Sequence, residues 1–554
     1  MIEKDIILAY ALENAIAHDG KAVAAAVLPK LFQVGLKKNS IKDVMPEIKK
    51  IVEGVNKLSL KEQEEKFSDL KKILPKKEDR EREGLEPLPN VKLGNVVVRF
   101  EPSPSGPLHI GHSLVVLLNY LYKKKYGGKF ILRYSDTNPE TIDKDAYKLI
   151  LDDTNFLTNK GIDESVYQSD RLQLYYENAL NLIKKRFAYV CTCNPESFKT
   201  YVDTGRACPC RNLSVREHLK RWKAMFSEYK EGDAVLRIKT DLKAKNPALR
   251  EWPAFRICET SHPRKGTKFR VWPLMNFAVA IDDIDEGITH VIKGKDHIVN
   301  TERQKFIYDY LKVKQPVFIH IGKINFTGMK IKTREISQSI KDKQYKGWDD
   351  IRLPFIQSFK KRGFKPEAFH KFVENIGLSL VDKNISKEEL MKLLDAFNKP
   401  LIEGSSRYFF IHDPAEITIK NAPAKEAKLP LHPKLDKGFR KFNTSDKFYI
   451  EKDDYLNMKE GNYRLMNLLN FKKNDHIVFI SEEFDPKLET KMMHWLPFQK
   501  LPKIKILLED GEYLEGISEP DIEKLKEGDE IQFERFGFCN LVNKEKLEFW
   551  FTQK

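Results

Sequence analysis

The sequence predicts a multidomain α/β protein whose chemistry centres on one strand–loop–helix unit. Three observations lead there. A chain of 554 residues is too long for one core and divides into about three to five domains. Between Asn95 and His112, the apolar, β-branched run Val96 to Val98 reads as an interior strand of a parallel sheet. Pro102, Pro104, Gly106 and Pro107 then break regular structure until Ile110, after which Leu114, Leu117, Leu118 and Leu121 recur at helical spacing. From about Leu401 the pattern changes to short alternating strands separated by turn residues, as in β-barrels.

A strand delivered through a tight loop into a helix N-terminus suits nucleotide binding, because unpaired amides and the positive helix end face the phosphates. His109 and His112 flank Ile110-Gly111 at the first turn. Spaced three apart, both imidazoles could stabilise charge growing on an α-phosphate, while Gly111 lets adenine approach the backbone. Taken alone, the pair also reads as a capping histidine beside a surface one.

Composition limits the alternatives. Lys and Arg (97) exceed Asp and Glu (81) by 16, a field suited to a polyanion. The 32% charged content equally suits solubility or growth at high temperature. No stretch has the apolar length of a membrane span, and Met1 to Asp5 lacks the start of a signal peptide, so a cytoplasmic protein is expected. Four of the six cysteines cluster, which points to metal in a reducing compartment rather than to disulfides.

In chain order, residues 1 to about 85 read as a helical module and linker. Ser40 is expected to cap a helix carrying Ile41, Val44, Ile48, Val52 and Val55, and the charged run Lys76 to Glu83 to end the module. The module shows no chemistry; an RNA-contacting or partner-docking appendage and a simple packing module both fit. After the central helix, Gly127-Gly128 stops it and Lys129 to Tyr134 resumes as a strand, completing a β-α-β unit. Ser135-Asp136 then leaves the sheet's carboxyl edge, where ligands of open α/β sheets bind. Cys191-Thr-Cys193 and Cys208-Pro-Cys210 can close a tetrahedral thiolate site for one structural Zn2+, in a small insertion with a charged helix, Asn194 to Thr204, and a capping box, Ser214 to Glu217. Ala234 to Lys239 alternates as a strand. Residues 350 to 395 look helical and basic, suiting contact with an RNA stem. Strands are expected at Tyr408–Ile411, Glu416–Ile419, His476–Ile480, Lys503–Leu508 and Glu530–Phe538.

The run Arg99-Phe-Glu-Pro-Ser-Pro-Ser-Gly-Pro-Leu-His-Ile-Gly-His112 resembles the HIGH signature of class I aminoacyl-tRNA synthetases. It is most similar to the glutamyl/glutaminyl branch, and within it to the archaeal glutamyl type. Tyr167 to Arg171, Val271 to Phe277 with Asp282-Asp283, His290 to His297 and Tyr345 to Pro354 resemble further segments of that branch, so the likeness runs from about Asn95 to the C-terminus.

The resemblance implies a Rossmann-type catalytic core in two parts, residues 90–185 and 266–335. The Cys-bearing insertion at 186–265 would bind the tRNA acceptor end, a helical region at 336–400 would contact the stem, and a β-barrel region at 401–554 would bind the anticodon. The implied activity is ATP-dependent attachment of L-glutamate to tRNA(Glu) through glutamyl-adenylate. Mg2+ accompanies ATP, adenylation needs bound tRNA, and charging of tRNA(Gln) is left open.

Arg99 would hold the side-chain carboxylate of glutamate; Ser103, Ser135, Asp136 and Asn276 would line that pocket. Lys293, Gly294, Lys295, Asp296 and His297 would edge the ATP site with His109 and His112. The second class I signature falls at Lys330-Ile-Lys-Thr-Arg-Glu335 and departs from the usual pattern: Lys332 replaces serine, and Arg334 and Glu335 occupy the final positions. Lys332 and Arg334 would stabilise the departing pyrophosphate. Relatives commonly carry an acid where this chain has Ser135, and a small or apolar residue where it has Glu101. Arg99 and Glu101 leave the same strand face, so Glu101 is expected to receive the substrate ammonium. A glutaminyl enzyme, a small nucleotidyltransferase and an inactive RNA-binding paralogue are the rivals.

Overall fold

The computed structural model describes residues 4–74, apart from 17, 19, 33 and 37–39, and residues 84–554. The linker expected at Lys76 to Glu83 lies outside the described residues. The chain divides into two compact units, 1–81 and 82–554.

Among its described residues the first unit holds four α-helices, α1 (Lys4–Ile16), α2 (Ala24–Phe32), α3 (Ile41–Val55) and α4 (Leu60–Leu70). Their apolar faces meet over Ile7, Leu12, Val27, Leu31, Ile48 and Val55. Ser40 precedes α3, but its side chain makes no capping bond. The side-chain cap belongs to α4, where Ser59 and Glu62 form a reciprocal capping box. Buried Gln63 donates from Nε2 to the carbonyls of Gly20, Val55 and Leu58, tying three loop ends together.

The second unit begins with the expected strand–loop–helix. β1 (Val96–Phe100) leads to α5 (Ile110–Tyr126), β2 (Gly128–Tyr134), α6 (Ala146–Leu157), β3 (Glu164–Tyr167) and α7 (Leu172–Lys184), with a parallel sheet ordered β1-β2-β3. Gly128 has φ +135°, and a Cβ there would overlap the Val96 carbonyl, so the pairing of β2 with β1 requires glycine.

The chain then leaves the parallel sheet for β4 (Ala188–Cys191), α8 (Pro195–Asp203), α9 (Val215–Ala224), β5 (Val235–Ile238), β6 (Pro253–Ile257) and β7 (Val271–Pro273). The four strands make an antiparallel sheet in chain order, packed on Trp222, Trp252, Phe255 and Trp272. Ser214 caps α9 by accepting the Glu217 amide. The expected reciprocal bond is missing because the Glu217 carboxylate pairs with Arg221 instead.

After α10 (Met275–Asp285) the parallel core resumes as β8 (His290–Gly294), α11 (Ile298–Leu311) and β9 (Val317–Ile321). The Thr289 amide donates to the Val97 carbonyl and the Val97 amide to Thr289 Oγ1, both at 2.9 Å, joining the start of β8 to β1. Strand order therefore builds outward from β1 through β2 and β3 on one side and through β8 and β9 on the other. Such a reversal leaves a crevice at the carboxyl ends of β1 and β8.

β10 (Ile324–Thr327), α12 (Thr333–Lys341), α13 (Ile356–Arg362), α14 (Pro366–Ile376), β11 (Lys383–Ser386) and α15 (Lys387–Ile402) follow. The stretch read as helical contains the strand β11, which pairs in parallel with β10. From Ser406 onward the fold is mostly strands. The largest sheet has seven strands, ordered 406–408, 530–533, 537–543, 548–553, 503–507, 513–518 and 410–411, a barrel-like arrangement. The run expected as one strand, Glu530 to Phe538, is a hairpin instead, turning at Arg535 with φ +67°. Among the described residues no helix is long and apolar enough to cross a membrane.

Candidate active site

Two neighbouring cavities open at the β1/β8 crevice. One, about 370 Å³, is lined by Arg99, Glu101, Ser103 and Ser135 from the first half of the core and by Lys293, Gly294 and His297 from the second. The other, about 350 Å³, is lined by Ser103, Gly106, His109, His112, Lys332 and Thr333. Ser103 and His112 line both, so a group held in one can meet a group held in the other beside His112.

The histidines take their positions from the first turn of α5. His109 Nδ1 accepts the Gly111 amide at 3.0 Å, and His112 Nδ1 accepts the His109 amide at 3.2 Å. With Nδ1 an acceptor, each neutral ring carries its proton on Nε2. Burial pushes the His112 imidazole down to about 4; burial, followed by the neighbouring His112, pushes His109 to about 2. Both are neutral Nε2–H donors at physiological pH.

The free helix-end amides expected here do not exist. The amides of Leu108, His109, Ile110, Gly111 and His112 go to Asp153, His112 Nδ1, Pro354 O, His109 Nδ1 and His109 O. Phosphate at this turn would meet imidazole N–H groups rather than backbone. α12 differs, having no side-chain cap on its first turn, and its first residue, Thr333, lines the second cavity.

The wall behind the first cavity is a buried charge network. Arg99 donates to both oxygens of Asp283, at 3.0 and 3.3 Å, and lies 3.4 Å from Glu101. Fully buried Arg133 donates to Asp283 at 2.8 Å, pairs with Glu286 and lies 3.5 Å from Glu101. Gln168 donates to Glu101 and Asp282, and Asp282 also accepts from Arg171 and Tyr175. Burial pushes the Glu101 carboxyl up to about 7 even though Arg133 and Arg99 oppose it. Burial, with Arg99 nearby, pushes the Lys293 ammonium down to about 8.

Several expected site residues are placed elsewhere. Asp136 is fully buried and is consumed by the Ser169 amide, the Ser169 hydroxyl and the Tyr147 hydroxyl, so it shapes the wall instead of lining the cavity. Asn276 sits one layer back, bonded to Asn300 and Gln304, and its neighbour Met275 lines the cavity. Lys295 pairs with Asp382 and the Asp296 side chain is 73% exposed; neither lines either cavity. Lys332 lines the second cavity with its ammonium on Glu335 at 2.8 Å, and exposed Arg334 does not line it.

Sequence reasoning missed Arg133, Gln168, Arg171 and Glu286. One signal was available: Asp282, Asp283, Asp285 and Glu286 crowd the C-terminal end of α10, where negative charge opposes the helix dipole. Asp285 is half exposed, but the buried Asp282 and Asp283 call for cationic partners.

The four cysteines form a separate cluster. The sulfurs of Cys191, Cys193 and Cys208 lie within 4.8 Å of one another; Cys191 and Cys208 are 4.0 Å apart, and Cys193 and Cys210 are 3.7 Å apart. Four thiolates about 2.3 Å from one ion would stand about 3.8 Å apart, so Cys191, Cys193 and Cys208 could hold a metal ion, while Cys210, 3.7 Å from Cys193, stands outside that group of three. Cys210 Sγ also accepts from the Thr192 amide and Arg221.

Residues 95–403 match the family described as tRNA synthetases class I (E and Q), catalytic domain. Residues 405–484 and 488–542 match two descriptions of the anticodon-binding domain of that family. The chain is 43% identical over 549 residues to the glutamate–tRNA ligase of Methanocaldococcus jannaschii, covering 97% of each protein. It is 42% identical over 575 residues to that of Pyrococcus furiosus, covering 99% of this chain and 98% of the relative, and 39% identical over 565 residues to that of Methanothermobacter marburgensis, covering all of both.

Proposed function

Because the chain belongs to the class I tRNA synthetases of the E and Q type, we propose that it attaches L-glutamate to tRNA(Glu) in two steps. ATP, carried with Mg2+, first converts glutamate to glutamyl-adenylate with release of pyrophosphate; the terminal ribose of tRNA then takes the glutamyl group and AMP leaves. The observation that carries this reading is the pair of cavities meeting at Ser103 and His112. One suits an amino acid with charged groups at both ends, and the other suits a triphosphate.

Glutamate lies in the first cavity with its side-chain carboxylate toward Arg99 and its ammonium toward Glu101, the one acid among the lining residues. Lys293, Gly294 and His297 border the nucleotide. His109 and His112 donate from Nε2 to the α-phosphate as negative charge grows there, and because they are already oriented by their Nδ1 bonds, little reorganisation accompanies the reaction. Lys332 meets the departing pyrophosphate after the Lys332–Glu335 pair opens, and Arg334, which lies outside the cavity, joins it only if the loop moves inward.

Cys191, Cys193, Cys208 and Cys210 hold one structural zinc ion, which supplies order to an insertion with little core of its own. Residues 401–554 bind the anticodon arm, and the protein works in the cytoplasm. The test is charging of transcribed tRNA(Glu) and tRNA(Gln) with labelled glutamate or glutamine. Glutamate on tRNA(Glu) is the expected product; glutamine transferred in preference to glutamate would overturn the reading.

A further inference from the structure

The signature histidines depend on a backbone segment, residues 108 to 110, that is held from two sides. On one side it forms an isolated bridge with residues 354–356: the Ile356 amide donates to Leu108 O and the Ile110 amide to Pro354 O, both at 2.9 Å. On the other side, the Leu108 amide donates to Asp153 Oδ2 at 2.9 Å. Asp153 projects from α6, is 1% exposed, and is far from the family's signature segments in sequence. Two other side chains bond to the segment, His112 Nδ1 accepting the His109 amide and Ser113 Oγ donating to the Ile110 carbonyl, and both belong to α5 itself; Asp153 reaches it from another helix. Losing it would leave a buried amide unpaired beside His109, a penalty the loop could relieve by moving.

We propose that Asp153 is a positioning residue for adenylation, holding the Leu108 amide so that His109 keeps the ring orientation its catalytic role requires. This rests on the proposed function of the histidines. The carboxylate also borders a cavity of about 380 Å³ between α6, α13 and the strands near 527–542. The charged groups around it there are Asp152 on its own helix, Lys360 and Lys361 on α13, Asp349 before α13, and Glu527. Burial pushes the carboxyl up to about 7, with Asp152 adding to it, against the Leu108 amide and Lys360, which favour its charged form.

The test is a double-mutant cycle read by tRNA-dependent pyrophosphate exchange. Asp153→Leu should lower kcat at least tenfold with the KM values for ATP and glutamate within about threefold. Asp153→Asn, which keeps an acceptor oxygen, should restore most of the rate. In a His109→Ala background, Asp153→Leu should cost less than about twofold, because the ring it positions is gone. A second readout does not need activity: hydrogen exchange of the peptide containing Leu108 should be faster in Asp153→Leu and near wild type in Asp153→Asn. Losses that multiply across the cycle, or unchanged exchange at Leu108, would overturn the proposal. An inactive wild type would overturn the function instead, and the exchange experiment would still decide the role of Asp153.

Discussion

The His109 and His112 rings stack 3.8 Å apart at 28°, and each uses Nδ1 to accept a backbone amide of the same helical turn. Two adjacent imidazoles would repel one another if charged. Burial keeps His112 neutral, and burial followed by the neighbouring His112 keeps His109 neutral, so each ring can offer Nε2–H to a ligand.

Replacing either ring should therefore remove a transition-state donor. His109→Ala and His112→Ala should each lower the adenylation rate about a hundredfold, roughly 3 kcal/mol per donor, with tRNA affinity little changed. Single-turnover adenylation and a filter-binding titration check this together.

The pH dependence has a defined sign. Histidine ordinarily titrates near 6.5, and both rings sit lower. Below 6.5 the unfolded chain therefore binds protons that the folded site refuses, so these rings lower stability as pH falls toward 4. Adenylation should show no acid limb from them between pH 5 and 8. A limb near 6.5 that disappears in His112→Ala would contradict the neutral-donor role.

Glu101 behaves oppositely. Its raised pKa means that the folded site holds a proton between about 4.5 and 7 that the unfolded chain has released, so its stability contribution is lost as pH rises through 7. The carboxylate needed for an ammonium forms over the same range, so KM for glutamate should fall as pH rises past 7. Glu101→Ala should reduce kcat/KM for glutamate ten- to a hundredfold, about 1.5–3 kcal/mol. Adding Ser135→Asp should recover much of it, since Ser135 lines the same cavity. A double mutant no better than Glu101→Ala would show that the charge cannot be moved there.

Gly106 marks where the two signature loops touch. A Cβ at this position would overlap Thr333 Cγ2. Gly106→Ala should lower kcat for adenylation by about tenfold, and Thr333→Ser, which removes the overlapped methyl, should restore most of it. No rescue in the double mutant would mean that the loops are apart during catalysis.

The cysteine cluster makes a compositional prediction: one zinc per chain by elemental analysis of protein purified without chelator. Cys193→Ser should raise KM for tRNA more than it lowers the melting temperature. Metal-free protein with normal charging would remove zinc from the account.

How much of this was legible in the sequence depends on whether the cause was local. β1, the broken loop and α5 follow from runs of apolar and ring-constrained residues, and they were readable. The partners of Asp136 were not, because Ser169 is 33 residues away and nothing at Ser135-Asp136 shows which side chain faces the crevice. The hairpin at Arg535 was missed because a non-glycine residue adopts the left-handed turn. The network joining Arg99 and Arg133 to Asp283 spans 184 and 150 residues; local periodicity carries no record of such pairings. Lys295, Asp296 and Asn276 follow only from the resemblance of whole segments to the family, and one residue along a helix or turn changes which way a side chain faces.

The central claim is that the two meeting cavities activate glutamate through neutral signature histidines. Pyrophosphate exchange with wild type and His112→Ala, run with glutamate or glutamine and with or without tRNA(Glu), tests it most directly. The account predicts exchange that requires glutamate and tRNA(Glu) and drops about a hundredfold in His112→Ala. Equal exchange by the two proteins, or exchange supported by glutamine in preference to glutamate, would contradict it.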